Sequence, residues 1–168
     1  MSMRKITTVS LVVAGLTLLG ASCGKKVAEK TVENAIEKST NGQADVDISN
    51  KQVQINTNGT SLTAGENVKL PSGFPADVYV IDGTLKSTLA LAEDNGYSVT
   101  LTTSTSAADV KTKYESQLKA DGWTIISTLA LPEGSMLTAE KGLRTTSVTM
   151  TTPDGETMVS ISTREKSS

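Results

Sequence analysis

Six short runs in the C-terminal half of the chain set their apolar residues mainly at alternate positions, and that period points to strands. The runs are 85–91, 97–102, 123–131, 136–140, 145–151 and 157–163. Leu85, Leu89 and Leu91 share one parity, as do Tyr97, Val99 and Leu101, then Trp123, Ile125, Leu129 and Leu131. Val148 with Met150 and Val159 with Ile161 repeat the pattern, and the intervening positions are mostly Ser and Thr. A period of two puts successive side chains on opposite sheet faces, so one face is apolar and the other wet. Asp94-Asn95-Gly96, Pro132-Glu133-Gly134, Lys141-Gly142 and Pro153-Asp154-Gly155 separate the runs with hairpin turn chemistry. The expectation is an antiparallel sheet with a single covered side.

The cover for that side is a helix starting at Ser106. Asp109 follows three residues later in a capping-box-like arrangement, and Val110, Tyr114 and Leu118 recur at i, i+4 and i+8. Asp121-Gly122 closes the helix directly before Trp123. Upstream, residues 27–39 carry Val27, Ala28, Val32, Ala35 and Ile36 on one side and charged residues on the other, which predicts a further helix. It serves as a docked cover or a solvated stalk. A hairpin is then expected, with Val46 and Ile48 answered by Val53 and Ile55 across Asn50-Lys51-Gln52. The Pro- and Gly-bearing stretch from 65 to 76 reads as a linker. The expected fold class is α+β: an antiparallel sheet with one helix packed on one face, preceded by an N-terminal helix and β-hairpin. The corresponding divisions are 1–22, a leader; 23–26, a tether; 27–64, the helix-hairpin unit; 65–76, the linker; and 77–168, the main domain.

Met1-Ser2-Met3-Arg4-Lys5, the apolar stretch Ile6–Leu19 and Gly20-Ala21-Ser22 precede Cys23, the chain's one cysteine. The apolar stretch is shorter than the ~20 residues of a membrane span, and it fits the core of a signal peptide. Ala21-Ser22-Cys23 resembles the lipobox of bacterial lipoproteins, although Gly20 stands where leucine is usual and Leu19 lies one step earlier. The resemblance implies cleavage between Ser22 and Cys23 and acylation of Cys23, with palmitate-type chains as a permanent membrane anchor. The alternative is an ordinary secretory signal with an incidental cysteine. The protein would then work in the cell envelope, on the periplasmic side of an outer membrane or the outer face of a single plasma membrane. Gly24, in place of a retention-favouring Asp, points to the outer membrane where there are two.

Residues beyond the signal resemble a module of uncharacterised bacterial lipoproteins. The likeness rests on Phe74-Pro75-Ala76-Asp77-Val78-Tyr79, on Asp121-Gly122-Trp123 after the helix, and on Leu137-Thr138-Ala139-Glu140-Lys141-Gly142-Leu143-Arg144. It also includes Ala35-Ile36-Glu37-Lys38 leading to Asp45-Val46-Asp47-Ile48. Ile81-Asp82-Gly83 departs from the Pro-Gly that relatives often carry there. These motifs are structural, and the resemblance implies no activity.

Composition narrows the chemistry. Removing residues 1–22 from 168 leaves 146, enough for one domain or a domain with a small satellite. The formal net charge is -2, and aromatic residues are 3% of the chain. Both argue against a nucleic-acid partner, which calls for a concentrated basic face and stacking platforms, and so few aromatics leave stacking platforms for sugars nearly absent as well. Histidine is absent, which removes His-dependent triads, histidine metal sites and the usual proton shuttle. Asp45 and Asp47, near Asn50, have the spacing to offer oxygens to a hard cation, against the plainer reading of a solvated hairpin face. Glu93 and Asp94 read as a turn tip, and Tyr79, Tyr97 and Trp123 as pocket-lining or core aromatics. No catalytic residue, metal ligand or cofactor is implied. The reading that remains is a lipid-anchored, non-catalytic binding module for an envelope protein or polymer. An envelope hydrolase using paired carboxylates is the alternative, and needs two acids converging ~5–10 Å apart.

Overall fold

The computed structural model describes residues 43–166, apart from Asp94 and Asp154, together with Lys30, Thr31, Glu33, Asn34, Glu37 and Lys38. Among the described residues nine strands follow one another: β1 Ala44–Ser49, β2 Gln52–Thr57, β3 Thr60–Gly65, β4 Thr84–Leu91, β5 Gly96–Thr103, β6 Thr124–Leu131, β7 Gly134–Lys141, β8 Arg144–Thr151 and β9 Thr157–Glu165. The helix α1, Ala107–Ala120, lies between β5 and β6. The strands make one antiparallel sheet in the order β1-β2-β3-β4-β5-β9-β8-β7-β6.

This overturns the expected α+β arrangement. The hairpin does not stand ahead of the sheet. β3, unrecognised in the sequence because only Leu62 and Ala64 mark it, pairs Ile55 with Leu62 on one side and Leu62 with Leu89 on the other. One continuous ladder therefore takes in the hairpin strands and the C-terminal strands. The helix expected at 27–39 falls for the greater part outside the described residues. One described contact there is Glu33, whose Oε1 accepts a 2.7 Å hydrogen bond from the Ile48 backbone N–H.

The assumption of a single covered side is also corrected, and the cause is a pair of bulges. In β4 the register slips between Leu85 and Ser87, and in β6 between Ile125 and Ser127. One extra residue reverses parity for everything beyond it. Leu85 therefore faces the helix with Leu101, whereas Leu89 pairs with Ser98 on the far face. Likewise Ile125 faces the helix, and Leu129 turns away from it, opposite Met136.

Following one row across the sheet shows the result. On the far face it runs Val46, Ile55, Leu62, Leu89, then Ser98, Ser162, Ser147, Thr138 and Ser127. On the helix face it runs Asp47, Gln54, Thr63, Thr88, then Val99, Ile161, Val148 and Leu137. Apolar and polar faces exchange sides between β4 and β5. Each half of the sheet is amphipathic, and the two halves point their apolar sides in opposite directions.

The main core lies on the helix side of β5, β9, β8 and β7. Val110, Tyr114 and Leu118 of α1 are fully buried against Val99, Leu101, Leu137, Val148, Met150, Val159 and Ile161. Ser106 caps the helix: its Oγ accepts from the Asp109 N–H at 3.2 Å and donates to Asp109 Oδ2 at 2.7 Å. At the other end Trp123 N–H bonds Leu118 O, and Gly122 N–H bonds Lys119 O. That closing pattern needs a left-handed residue, supplied by Gly122 at φ 82°.

Residues 66–83, which take in most of the stretch 65–76 expected as a linker, form a strap: Val68 within that stretch is buried, as are Val78 and Ile81 beyond it. Tyr114 Oη accepts from the Ile81 N–H at 3.3 Å, and Trp123 Nε1 donates to Asp77 O at 2.7 Å. Burial pushes the Tyr114 phenol above its ordinary pKa, with the Ile81 hydrogen bond acting in the opposite direction.

Candidate functional site: a polar trough beneath the strap

Where the faces exchange sides, the helix-side face of β2, β3 and β4 becomes a floor of amides and hydroxyls. One row of that floor is Gln54, Thr63 and Thr88, and the next is Asn56, Ser61, Ala90 and Tyr97. Residues Asn67–Ser72 of the strap form a wall beside the first row. The space enclosed by Gln52, Gln54, Ser61, Thr63, Thr88, Ala90 and the strap is about 410 Å³. A second, more apolar concavity of about 310 Å³ adjoins it, sharing Ser61 and Ala90 and bounded by Asn56, Thr60, Asn95 and Tyr97 together with Leu91 and Ala92. Together they make a trough crossing three strands.

Local chemistry holds the trough open. Asn50 and Lys51 take φ of 50° and 61°, the pair of left-handed residues that a two-residue hairpin turn between β1 and β2 requires. The Lys51 carbonyl then accepts from the Glu66 N–H at 3.1 Å, and the Lys51 Nζ reaches Glu66 Oε1 at 2.9 Å. Both side chains of that ion pair are well exposed, so it positions the strap more than it stabilises the fold. Gln52 Nε2 donates to Glu66 O, and Gln54 Nε2 to Gln52 Oε1 at 2.9 Å. Phe74 packs edge-to-face on Tyr97 with ring centroids 5.9 Å apart. Gly73 lies so close to the Tyr97 hydroxyl that a Cβ there would approach it to 2.8 Å.

The lining is nearly neutral. Lys69 is its charged side chain, set among Gln, Asn, Ser and Thr groups that both donate and accept. Such a surface hydrogen-bonds hydroxyl and acetamido groups without demanding a counter-charge.

The residues singled out from the sequence are distributed as follows. Asp45 and Asp47 are exposed on the edge strand β1, where with Lys30 and Glu33 they border a separate concavity of about 440 Å³. Among the described residues no group of three acidic, His or Cys side chains is placed to hold a metal ion. Glu93 is exposed in the β4–β5 turn, while Asp94, Ser22 and Cys23 lie outside the described residues. Of the three aromatics, Tyr97 lines the trough; Tyr79 packs on Tyr114 at 5.1 Å, and Trp123 is buried. Gln52, Gln54, Ser61 and Thr63 carried no sequence signal, because their chemistry emerges only once β3 joins the sheet.

A second polar cluster ties the strap to the helix end. Arg144 reaches both Asp77 carboxylate oxygens, Nη1 to Oδ1 at 2.7 Å, and stacks 5.1 Å from the Trp123 ring centroid. Lys141 Nζ bonds Asp77 Oδ2 at 2.6 Å and Asp121 O at 2.7 Å. The hydrogen bonds from Arg144, then those from Lys141, hold the Asp77 carboxyl far below the usual range, against a partial burial that pushes it up. Every strong group in this cluster is paired to another, so it acts as a clasp.

A family model described as START domain-like matches residues 85–163. The matched stretch runs from β4 through β9 and includes α1, less than half of the chain. No curated protein and no solved structure matches the chain. The trough is therefore built chiefly from β2, β3 and the strap, outside the matched region.

Proposed function

We propose that this chain is a lipid-anchored, non-catalytic binding module of the cell envelope whose trough takes an uncharged glycan segment. The observation that carries the reading is the trough: neutral amides and hydroxyls in two registered rows beside Tyr97, open to solvent along three strands. Glycans present dense hydroxyls and amides with weakly apolar ring faces, which suits such a lining. The anchoring part rests on the basic start, the short apolar core and Ala21-Ser22-Cys23. No described helix is long and apolar enough to cross a membrane.

Two experiments test the two parts. Fatty-acid labelling in a bacterial host should be abolished by Cys23→Ser, and undiminished labelling would refute the anchor. Co-sedimentation with purified cell-wall sacculi should retain the full chain. A Gln54→Ala/Thr63→Ala double variant should be retained at least ~10-fold less, the loss of about 1.4 kcal/mol expected when two neutral hydrogen bonds go. Equal retention of variant and parent would remove the trough from the account.

A further inference from the structure

The two edges of the sheet are treated differently. β1 carries Asp45 and Asp47, and the Ile48 N–H at its margin is already occupied by Glu33. Charges and a covering contact of this kind keep an edge from pairing with other chains. β6 at the opposite end has no charged residue and no proline along Thr124-Ile125-Ile126-Ser127-Thr128-Leu129-Ala130-Leu131. Six of its eight residues are exposed, including Ile126 at 53% and Leu129 at 50%. Its outer row of backbone groups faces no other described strand.

We propose that β6 pairs antiparallel with β6 of a second copy of this chain, about a two-fold axis midway between Leu129 and Leu129 of that copy. The bulge between Ile125 and Ser127 leaves Ser127–Leu131 as the regular stretch of the strand. A two-fold axis normal to the sheet must set one residue opposite its own copy, since paired residues share a face. Centring on the middle residue is the one register that pairs all five regular positions. It places Leu129 opposite Leu129, Thr128 opposite Ala130 and Ser127 opposite Leu131. Met136 lies beside Leu129 on the same face, so the seam carries an apolar stripe contributed equally by both copies. With no charge anywhere along the strand, nothing in the pairing sets like charges against each other.

The test uses the full chain purified in detergent, with mass followed by sedimentation equilibrium over a range of concentrations. The wild type should approach a dimer. Leu129→Lys sets two ammonium groups face to face and should raise the dissociation constant at least ~10-fold, with far-UV circular dichroism unchanged. Leu143→Lys, at a turn position 69% exposed, should dimerise as the parent does. A photo-crosslinking residue at position 129, introduced in cells, should capture a second copy. A wild type that stays monomeric at every concentration, a Leu129→Lys protein as dimeric as its parent, or capture of a different protein would each overturn the proposal.

Discussion

Asp77 joins three parts of the chain: its carbonyl holds Trp123, and its carboxylate holds Arg144 and Lys141. Because the folded state depresses its pKa, the stabilisation is fully present above the unfolded value of about 3.9 and lost as pH falls toward the folded one. Asp77→Asn should lower stability at pH 7 by about 1–3 kcal/mol. The variant should also lose less than the parent between pH 5 and 2, followed as the urea midpoint; parallel acid limbs would contradict the clasp. Thr163 offers the opposite case. It is 2% exposed, and its Oγ1 lacks a partner among the described residues. Thr163→Val removes an unsatisfied hydroxyl at constant volume and should raise stability by up to ~1 kcal/mol in urea titration. Neither residue announced its role in the sequence, since Asp77 meets partners more than sixty positions away and the Thr163 environment depends on strand order.

Among the elements, α1 was the most legible. Cap, buried stripe and closing glycine all lie within seventeen consecutive residues (106–122), and each works through near neighbours. Leu118 is fully buried, so Leu118→Ala should cost about 2–5 kcal/mol by denaturant unfolding. Strand positions were legible too, because alternation is local, but the faces were not. Leu85 and Leu89 share parity yet point in opposite directions, since the slip at Lys86 can be seen only against β5. Deleting Lys86 would remove the extra residue and drive either Leu85 or Leu89 and Leu91 to the wrong side. The deletion should destabilise the protein far more than Lys86→Ala; equal effects in thermal unfolding would mean that the bulge does not set the faces.

At the scale of the whole molecule, the exchange of faces between β4 and β5 explains why one sheet carries both a packed core and a polar trough on its helix side. The core half coincides with the region matched by the START domain-like model, and β1–β3 extend the sheet beyond it. The sequence showed the alternation in each half without showing that the halves join, because β3 is short and its partner β4 begins nineteen residues later. The trough was invisible for the same reason: Gln54, Thr63 and Thr88 become neighbours only through two strand pairings. The binding role proposed for it is most directly tested by titrating the isotope-labelled chain with a neutral N-acetylated oligosaccharide and following backbone amide shifts. Saturable shifts concentrated at Gln52, Gln54, Ser61, Thr63, Thr88 and Tyr97 are expected. Shifts absent at saturating ligand, or confined to the Ser/Thr face around Ser160 and Ser147, would contradict it.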